Sequence, residues 1–178
     1  MSKDRSTLFP PVRERRVTPA APPCPLASGA LRGQNAPLFE GALMHRVLIL
    51  GAGKIGALIS GLLAESGSYK VQLADVAGTA AEGVVRAHGT GNLAPFALDA
   101  TDAAALSHHL AAHPVEAVIS SLPYYCNLTV AEAARKAHAH YFDLTEDVAV
   151  TRSVRAIAAG AAQAFVPQCG LAPGFISI

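Results

Sequence analysis

The sequence predicts an α/β fold built on a doubly wound parallel sheet of about six strands, preceded by a disordered N-terminal tail. From Met44 onward, short apolar segments alternate with segments of helical period, which implies parallel strands joined by right-handed crossovers. Of the 178 residues, 51% are hydrophobic and only 15% are charged, which suits a sheet that helices cover on both faces. A glycine-rich turn over 51–56 follows the first apolar segment.

The segment 1–43 differs in composition from the rest of the chain. It contains seven of the 12 prolines and six basic against three acidic residues, whereas residues 44–178 contain eight basic and ten acidic residues. Because proline fixes φ and removes a backbone donor, and no apolar period runs through the segment, we expect a disordered tail. It lacks the continuous apolar core of a secretory signal. Met44 fits an internal start codon, which leaves open whether residues 1–43 belong to the native chain.

The first elements of the folded part follow from apolar period and from turn residues. Gly67 is well placed to end the first helix, and Thr79 to cap the second. Pro95 favours an edge or entry position for the third strand, because proline cannot donate to a neighbouring strand. In order, the predicted elements are strand 46–50, helix 54–66, strand 69–75, helix 79–88 and strand 93–98.

The later elements repeat the same alternation. Thr101 is a predicted N-cap of the third helix, and Pro114 marks the exit from that helix. The fourth and fifth strands are short and apolar, and small apolar residues recur along the helix between them. In order, the predicted elements are a helix from 101, strand 116–120, helix 127–139, strand 140–143, helix 147–162 and strand 164–167.

The turn after the first strand has the GxGxxG spacing of a dinucleotide-binding fold of the Rossmann type. Gly51 would permit the tight turn, Gly53 would let the backbone approach a pyrophosphate, and Gly56 would allow close packing of helix on strand. The helix start would offer free amides of Lys54 and Ile55 to the phosphates. The alternative is a plain strand–turn–helix connection with no ligand.

The carboxylate of Asp75 predicts which dinucleotide binds. Asp75 lies 19 residues after Gly56, at the end of the second strand, where an acidic residue accepts hydrogen bonds from the adenosine ribose. A carboxylate there repels a 2′-phosphate, and the next three residues include no arginine. The sequence therefore predicts NAD, with NADP less favoured. Lys54 does not lie in a GxxxxGK[ST] frame, which excludes a P-loop.

Five segments carry a further pattern when taken in order: Val47–Gly56, Leu98–Asp102, Val118–Tyr124, Tyr141–Glu146 and Cys169–Gly174. Together they resemble the saccharopine dehydrogenase family. The resemblance implies an NAD(P)-binding Rossmann domain over 44–178, without the substrate domain that follows in that family. It implies amine oxidation, or reductive C–N bond formation, on a small amino-acid substrate such as lysine or saccharopine, and a homodimer in the complete protein.

Further site residues follow from the strand ends. The resemblance places Asp99 near the adenine, although a turn or cap role stays open. Ser120, Ser121 and Pro123 follow the fourth strand, at the edge where ligands bind in open α/β sheets, so we expect cofactor contact or a simple turn there. No catalytic residue can be assigned.

Several other polar residues have both a functional and a structural interpretation. Asp143, Thr145 and Glu146 could face substrate, but Thr145 as an N-cap and Glu146 as a first-turn acid are slightly favoured. Cys169 is interpreted as a loop thiol. The histidines at 108, 109 and 113 are expected on a solvated helix face, without a metal, since a third ligand is not evident.

Other classes of function fit less well. The net charge of +1 argues against nucleic-acid binding, no apolar run is long enough for a membrane span, and three widely spaced cysteines suggest a reducing, cytoplasmic compartment. A non-enzymatic NAD-sensing domain of the potassium-transport type shares the glycine turn and the acidic ribose residue. The segments 118–124 and 169–174 argue against it. A truncated remnant without function is a second alternative.

Overall fold

The computed structural model describes residues 44–170 and Gly174, so the tail predicted over 1–43 and part of the loop 169–174 lie outside the described residues. The described part has six strands: β1 (His45–Leu50), β2 (Tyr69–Asp75), β3 (Leu93–Ala97), β4 (Ala117–Ser120), β5 (His140–Asp143) and β6 (Phe165–Val166). Its α-helices are α1 (Lys54–Glu65), α2 (Gly78–His88), α3 (Ala103–Ala112), α4 (Asn127–Lys136) and α5 (Val148–Ala158), with a 3-10 turn at Tyr124–Cys126.

All six strands form one parallel sheet in the order β3-β2-β1-β4-β5-β6. The chain moves outward from β1 to β3, crosses back through α3, and then moves outward on the other side from β4 to β6. The predicted doubly wound parallel sheet is therefore confirmed. Neighbouring connections diverge between β1 and β4, which opens a crevice at the carboxyl ends of these strands.

Alternate residues of the central strands face two separate apolar cores. On one face, Leu48 and Val118 pack with buried side chains of α3, α4 and α5. On the other face, Val47 and Val71 pack with buried side chains of α1 and α2. Burial on both faces explains why the strands are nearly continuous apolar runs rather than alternating ones.

The edge and the first helix end lie where the sequence predicts them. The strand β3, which contains Pro95, is an edge strand. Gly67 has φ +72° and follows α1, where its amide donates to the Ala64 carbonyl. None of the helices within residues 44–170 combines the length and the apolarity needed to cross a membrane.

Three predicted caps are wrong, in each case because a neighbouring residue is better placed. Helix α2 begins at Gly78, so Thr79 lies inside it. Asp102, rather than Thr101, caps α3, and its carboxylate accepts from the Ala104 and Ala105 amides. Asp147, rather than Thr145, caps α5, and Glu146 therefore precedes the helix instead of lying in its first turn.

The predicted solvated face of α3 is also wrong at one position. His109 is buried, and its Nε2 lies 2.9 Å from Oε1 of Gln72 on β2. The ring packs edge-on against Phe96 at 4.7 Å between centroids. Burial lowers the pKa of His109, and the nearby His113 and His108 lower this pKa further. The side chain is thus a core residue that joins α3 to the sheet.

Candidate cofactor-binding site

The turn between β1 and α1 leaves backbone donors open at the centre of the strand-end edge. Gly51 has φ +97°, in the left-handed region, and its amide donates to the Ala74 carbonyl at 2.8 Å. Within residues 44–170, the amides of residues 53–56 donate no hydrogen bond, and Ala57 is the first to donate, to the Gly53 carbonyl. Free amides at a helix start form an anion-binding geometry.

The space available to a side chain differs among the three glycines of the turn. A Cβ on Gly56 would lie 1.8 Å from the Gly51 carbonyl oxygen, so only glycine lets α1 approach the turn. A Cβ on Gly51 would lie 2.8 Å from Ser121 Oγ. A Cβ on Gly53 would have no atom within 4 Å, so this position faces open space. The turn is therefore tightly packed at Gly51 and Gly56 and leaves an open approach to the backbone at Gly53.

Asp75 ends β2 and ties it to the glycine turn. Its Oδ2 accepts from the Ala52 amide at 2.7 Å, and its Oδ1 accepts from the Ala77 amide at 2.9 Å. The residue is only partly buried. Each carboxylate oxygen can accept a second hydrogen bond, so Asp75 is able to hold the turn and to receive a ligand hydroxyl.

A first cleft of about 200 Å³ lies on the β2 and β3 side of the turn. Its lining includes Gly51, Asp75, Asp99 and Pro123. Oδ1 of Asp99 accepts from the amide and the hydroxyl of Thr101, at 2.8 and 2.6 Å. These two hydrogen bonds lower the pKa of the exposed Asp99 carboxyl. Asp99 is therefore a turn residue, through its hydrogen bonds with Thr101, and also lines the first cleft.

A second cleft of about 410 Å³ lies on the β4 and β5 side of the turn. Ile55 and Ser121 line it, together with Tyr124 and residues 144–147. The Ser121 hydroxyl donates to the carbonyls of Leu50 and Gly51, at 2.9 and 3.1 Å. Ser121 thereby braces the glycine turn at the wall of this cleft, while Lys54 lies exposed at the start of α1.

Ser120 lies behind the clefts rather than in them. It is 1% exposed, and its hydroxyl donates to Oδ1 of Asn127 at 2.7 Å. Sequence reasoning missed Asn127, which is equally buried at the start of α4; the only signal is an amide residue at a helix start. Within the described residues, Nδ2 of Asn127 is buried without a hydrogen-bond partner. The pair joins β4 to α4.

Asp143 also lies below the surface of the edge. It is fully buried, and Oδ2 accepts from the Tyr141 hydroxyl at 2.7 Å. Oδ1 accepts from the amides of Thr145 and Gln168, at 3.0 and 3.1 Å. Burial and the Asp143 carboxylate raise the pKa of Tyr141. Thr145 is buried too, whereas Glu146 is exposed at the rim of the second cleft.

The two cysteines of the described part are not activated thiols. Burial raises the pKa of Cys126; Cys169 is exposed as a residue, but partial desolvation of its thiol and the Asp143 carboxylate raise its pKa. The Cys169 thiol donates to the Asp143 carbonyl at 2.9 Å, which agrees with a loop thiol. Among residues 44–170, no three His, Cys, Asp or Glu side chains are grouped to hold a metal.

The largest of the cavities described lies at the opposite end of the sheet and has a volume of about 610 Å³. Its lining is mostly apolar and includes Leu63, Ile119 and Phe142. At its rim, a hydrogen bond from His45 lowers the pKa of the exposed Glu116. The cavity has neither a helix N-terminus nor open backbone amides, so we place the candidate site at the glycine turn despite the smaller volume there.

A family model described as "Saccharopine dehydrogenase NADP binding domain" matches residues 47–166. Among solved structures, apo saccharopine dehydrogenase (L-Glu forming) from Saccharomyces cerevisiae is 25% identical with a TM-score of 0.64, over 73% of this chain and 28% of that chain. No curated protein matches the sequence.

Two further solved structures share the fold at lower identity. The Bordetella bronchiseptica enzyme WbmG in complex with NAD is 15% identical with a TM-score of 0.52, over 73% of this chain and 54% of that chain. Prephenate dehydrogenase from A. aeolicus in complex with NAD+ is 16% identical with a TM-score of 0.54, over 68% and 41%. The chain thus spans 28 to 54% of the length of these three structures. It belongs to the saccharopine dehydrogenase NADP binding domain family, and its sheet and glycine turn form an NAD(P)-binding domain of the oxidoreductase type.

Proposed function

We propose that this chain binds NAD, in preference to NADP, as the cofactor domain of a dehydrogenase that acts on the C–N bond of an amino acid such as lysine or saccharopine. The observation that carries the proposal is the turn over 51–56, whose open amides lie between two clefts. A dinucleotide has a diphosphate at its centre and a nucleoside at each end, which matches that arrangement.

The residues of the edge fit the parts of the cofactor. The diphosphate would accept hydrogen bonds from the amides that follow Gly53, including those of Lys54 and Ile55, where a Cβ would project into the open approach. The adenosine half would occupy the first cleft, with Asp75 on the ribose and Asp99 and Pro123 beside the base. The nicotinamide half would occupy the second cleft, beside Ser121.

The preference for NAD rests on charge at the end of β2. The family description names NADP, but a 2′-phosphate would lie close to the Asp75 carboxylate and be repelled by it. The residues after Asp75 are Val76, Ala77 and Gly78, which bring no positive charge to the rim. A ribose with a free 2′-hydroxyl could instead donate to Asp75.

The amino-acid substrate is supported by the family and by the name of the yeast relative, a saccharopine dehydrogenase. When bound, the nicotinamide accepts or donates a hydride. The described residues of this chain hold and orient the cofactor. We assign no proton-transferring residue to them, because the buried Tyr141 and Asp143 bond to each other and the two thiols have raised pKa values.

Titration calorimetry of the full chain and of Gly53→Val tests the site. We expect Gly53→Val to weaken NAD binding about 10- to 100-fold, because a charge-assisted hydrogen bond contributes about 1.5–3 kcal/mol. The melting temperature should change little, since the added side chain enters open space. Gly91→Val is the matched control: it is also open but lies before β3, at the opposite end of the sheet. Equal affinity of both variants would refute the placement of the diphosphate.

The cofactor preference is tested by comparing NAD with NADP. We expect the wild type to bind NAD about tenfold or more tightly, a difference of about 1.4 kcal/mol, and Asp75→Ser to reduce that ratio towards one. Tighter binding of NADP by the wild type would overturn the preference but leave the dinucleotide site intact. For the substrate, formation of NADH from NAD is followed with lysine and with saccharopine. A chain that binds NAD but reduces none of it with either compound would contradict amino-acid oxidation by this chain alone.

A further inference from the structure

The buried carboxylate of Asp143 connects three segments at the end of β5. Oδ2 accepts from Tyr141 within the strand, and Oδ1 accepts from the Thr145 amide in the turn that leads to α5 and from the Gln168 amide after β6. The Asp143 carbonyl accepts from both the amide and the thiol of Cys169. One residue thus provides acceptors to four neighbours although it has no exposed surface itself.

Two of these neighbours, Thr145 and Gln168, lie in segments without regular secondary structure. Gln168 has φ +62°, a left-handed conformation that costs a non-glycine residue energy and persists only when the surroundings impose it. The turn over 144–147 is irregular backbone, and the Asp147 amide donates to the Thr145 hydroxyl at 3.2 Å. Both segments donate a hydrogen bond to Oδ1, so this one atom links both of them to the end of β5.

The turn over 144–147 is also one wall of the second cleft, opposite Ile55 and Ser121. We propose that Asp143 is a positioning residue for the nicotinamide half of the cofactor: it holds this wall in place from below and touches no ligand. The inference rests on the proposed function, because it requires the nicotinamide to occupy the second cleft. The hydrogen-bond partners of the Asp143 carboxylate, Tyr141, Thr145 and Gln168, do not line the first cleft.

The inference predicts different effects on the binding of the two halves of the dinucleotide. Loss of the carboxylate should weaken binding of the nicotinamide half and leave binding of the adenosine diphosphate half unchanged. An Asp143→Asn side chain has nearly the same shape, but it has one acceptor oxygen and presents an NH2 group to either the Tyr141 hydroxyl or the two amides. A general loss of stability would instead weaken both halves together.

The experiment measures the dissociation constants of ADP-ribose and NADH for the full chain by calorimetry. The ratio of the two constants reports the contribution of the nicotinamide. We expect NADH to bind the wild type about tenfold more tightly than ADP-ribose does. Asp143→Asn should bring the ratio close to one, with the ADP-ribose constant within twofold of wild type. Tyr141→Phe removes the donor to Oδ2 and a longer hydrogen bond, at 3.4 Å, to the Asn127 carbonyl, but keeps the Asp143 carboxylate. It should lower the ratio less, and it replaces Asp143→Asn in the test if that variant does not fold.

Asn92→Ala controls for a general loss of stability. The Asn92 side chain donates to the Ala64 and Tyr69 carbonyls at the opposite end of the sheet, so its loss should destabilise the fold without changing the ratio. The inference is overturned if the wild-type ratio is already one, if the variants leave it unchanged, or if they weaken both ligands equally. Failure of the wild type to bind either ligand would refute the proposed function instead.

Discussion

The two halves of the strand-end edge use the same kinds of polar residue in opposite ways. On the β2 and β3 side, the carboxylates of Asp75 and Asp99 lie at the rim of a cleft. On the β4 and β5 side, Ser120 and Asp143 are 1% and 0% exposed, and their side chains bond inward to Asn127 and Tyr141. Position at the end of a parallel strand therefore does not decide whether a polar group serves a ligand or the fold; the direction of the side chain decides it.

The largest expected effect concerns Gly56, where the absence of a side chain lets helix α1 pack closely against the glycine turn. Gly56→Ala would bring a Cβ to 1.8 Å from the Gly51 carbonyl, a backbone atom that cannot move without opening the turn. We expect a loss of about 3 kcal/mol in the free energy of unfolding, at the upper end of overpacking effects, together with loss of NAD binding. Urea unfolding measures the first quantity and calorimetry the second.

Gly83→Ala is the matched control for Gly56→Ala. It lies within α2, and a Cβ there would meet no atom within 4 Å. The same substitution should raise the free energy of unfolding by about 0.5–1 kcal/mol, because alanine loses less backbone entropy in a helix than glycine does. Similar unfolding midpoints for both variants would contradict the packing role of Gly56.

The second expected effect compares two adjacent serines that point in opposite directions. Ser120→Ala leaves the buried Oδ1 of Asn127 without its donor, and we expect a loss of about 2 kcal/mol, within the range for an unsatisfied buried polar group. Its NAD affinity should stay within twofold of wild type. Ser121→Ala should cost less stability, about 1 kcal/mol, but should lower NAD affinity because the glycine turn loses a brace. If Ser120→Ala weakens NAD binding more than Ser121→Ala does, the claim that side-chain direction decides between a ligand role and a fold role is wrong.

The order of elements could be predicted from the sequence because it depends on patterns along the chain. The apolar period and the three glycines of the turn reflect local backbone requirements, which depend only on residues close together in the sequence. The predicted strands and the turn therefore lie close to the observed ones. The inward direction of Ser120 could not be predicted, because it depends on Asn127 in the next helix. The burial of His109 depends in the same way on Gln72 and Phe96, which lie on two other strands.

A third, smaller effect distinguishes the structural roles of two neighbouring residues, Thr101 and Asp102. Asp102 caps α3 through two backbone amides, and Asp102→Ala should cost about 1 kcal/mol. The Thr101 hydroxyl instead donates to Asp99, so Thr101→Val should cost less stability and should raise the pKa of the Asp99 carboxyl towards its usual value. Thermal unfolding and a carboxyl titration by NMR measure the two effects. A larger stability loss for Thr101→Val would restore Thr101 as the cap.

The smallest expected effect is a pH dependence from His109, a buried side chain of α3 that packs against Gln72 on β2 and Phe96 on β3. Burial lowers the pKa of His109 in the folded protein. As the pH falls through about 6.5, the unfolded chain binds a proton on this imidazole, whereas the folded chain binds it only at lower pH. The unfolded state thus binds more protons below that pH, so the free energy of unfolding should fall as the pH drops from 7.5 to 5.5. The decrease should be smaller than the roughly 1 kcal/mol expected for the cap. His109→Gln should remove this part of the dependence, while His108→Gln, at an exposed position of the same helix, should retain most of it, because burial is the largest cause of the lowered pKa. Equal slopes for the two variants in urea unfolding would show that the buried histidine is not the titrating group.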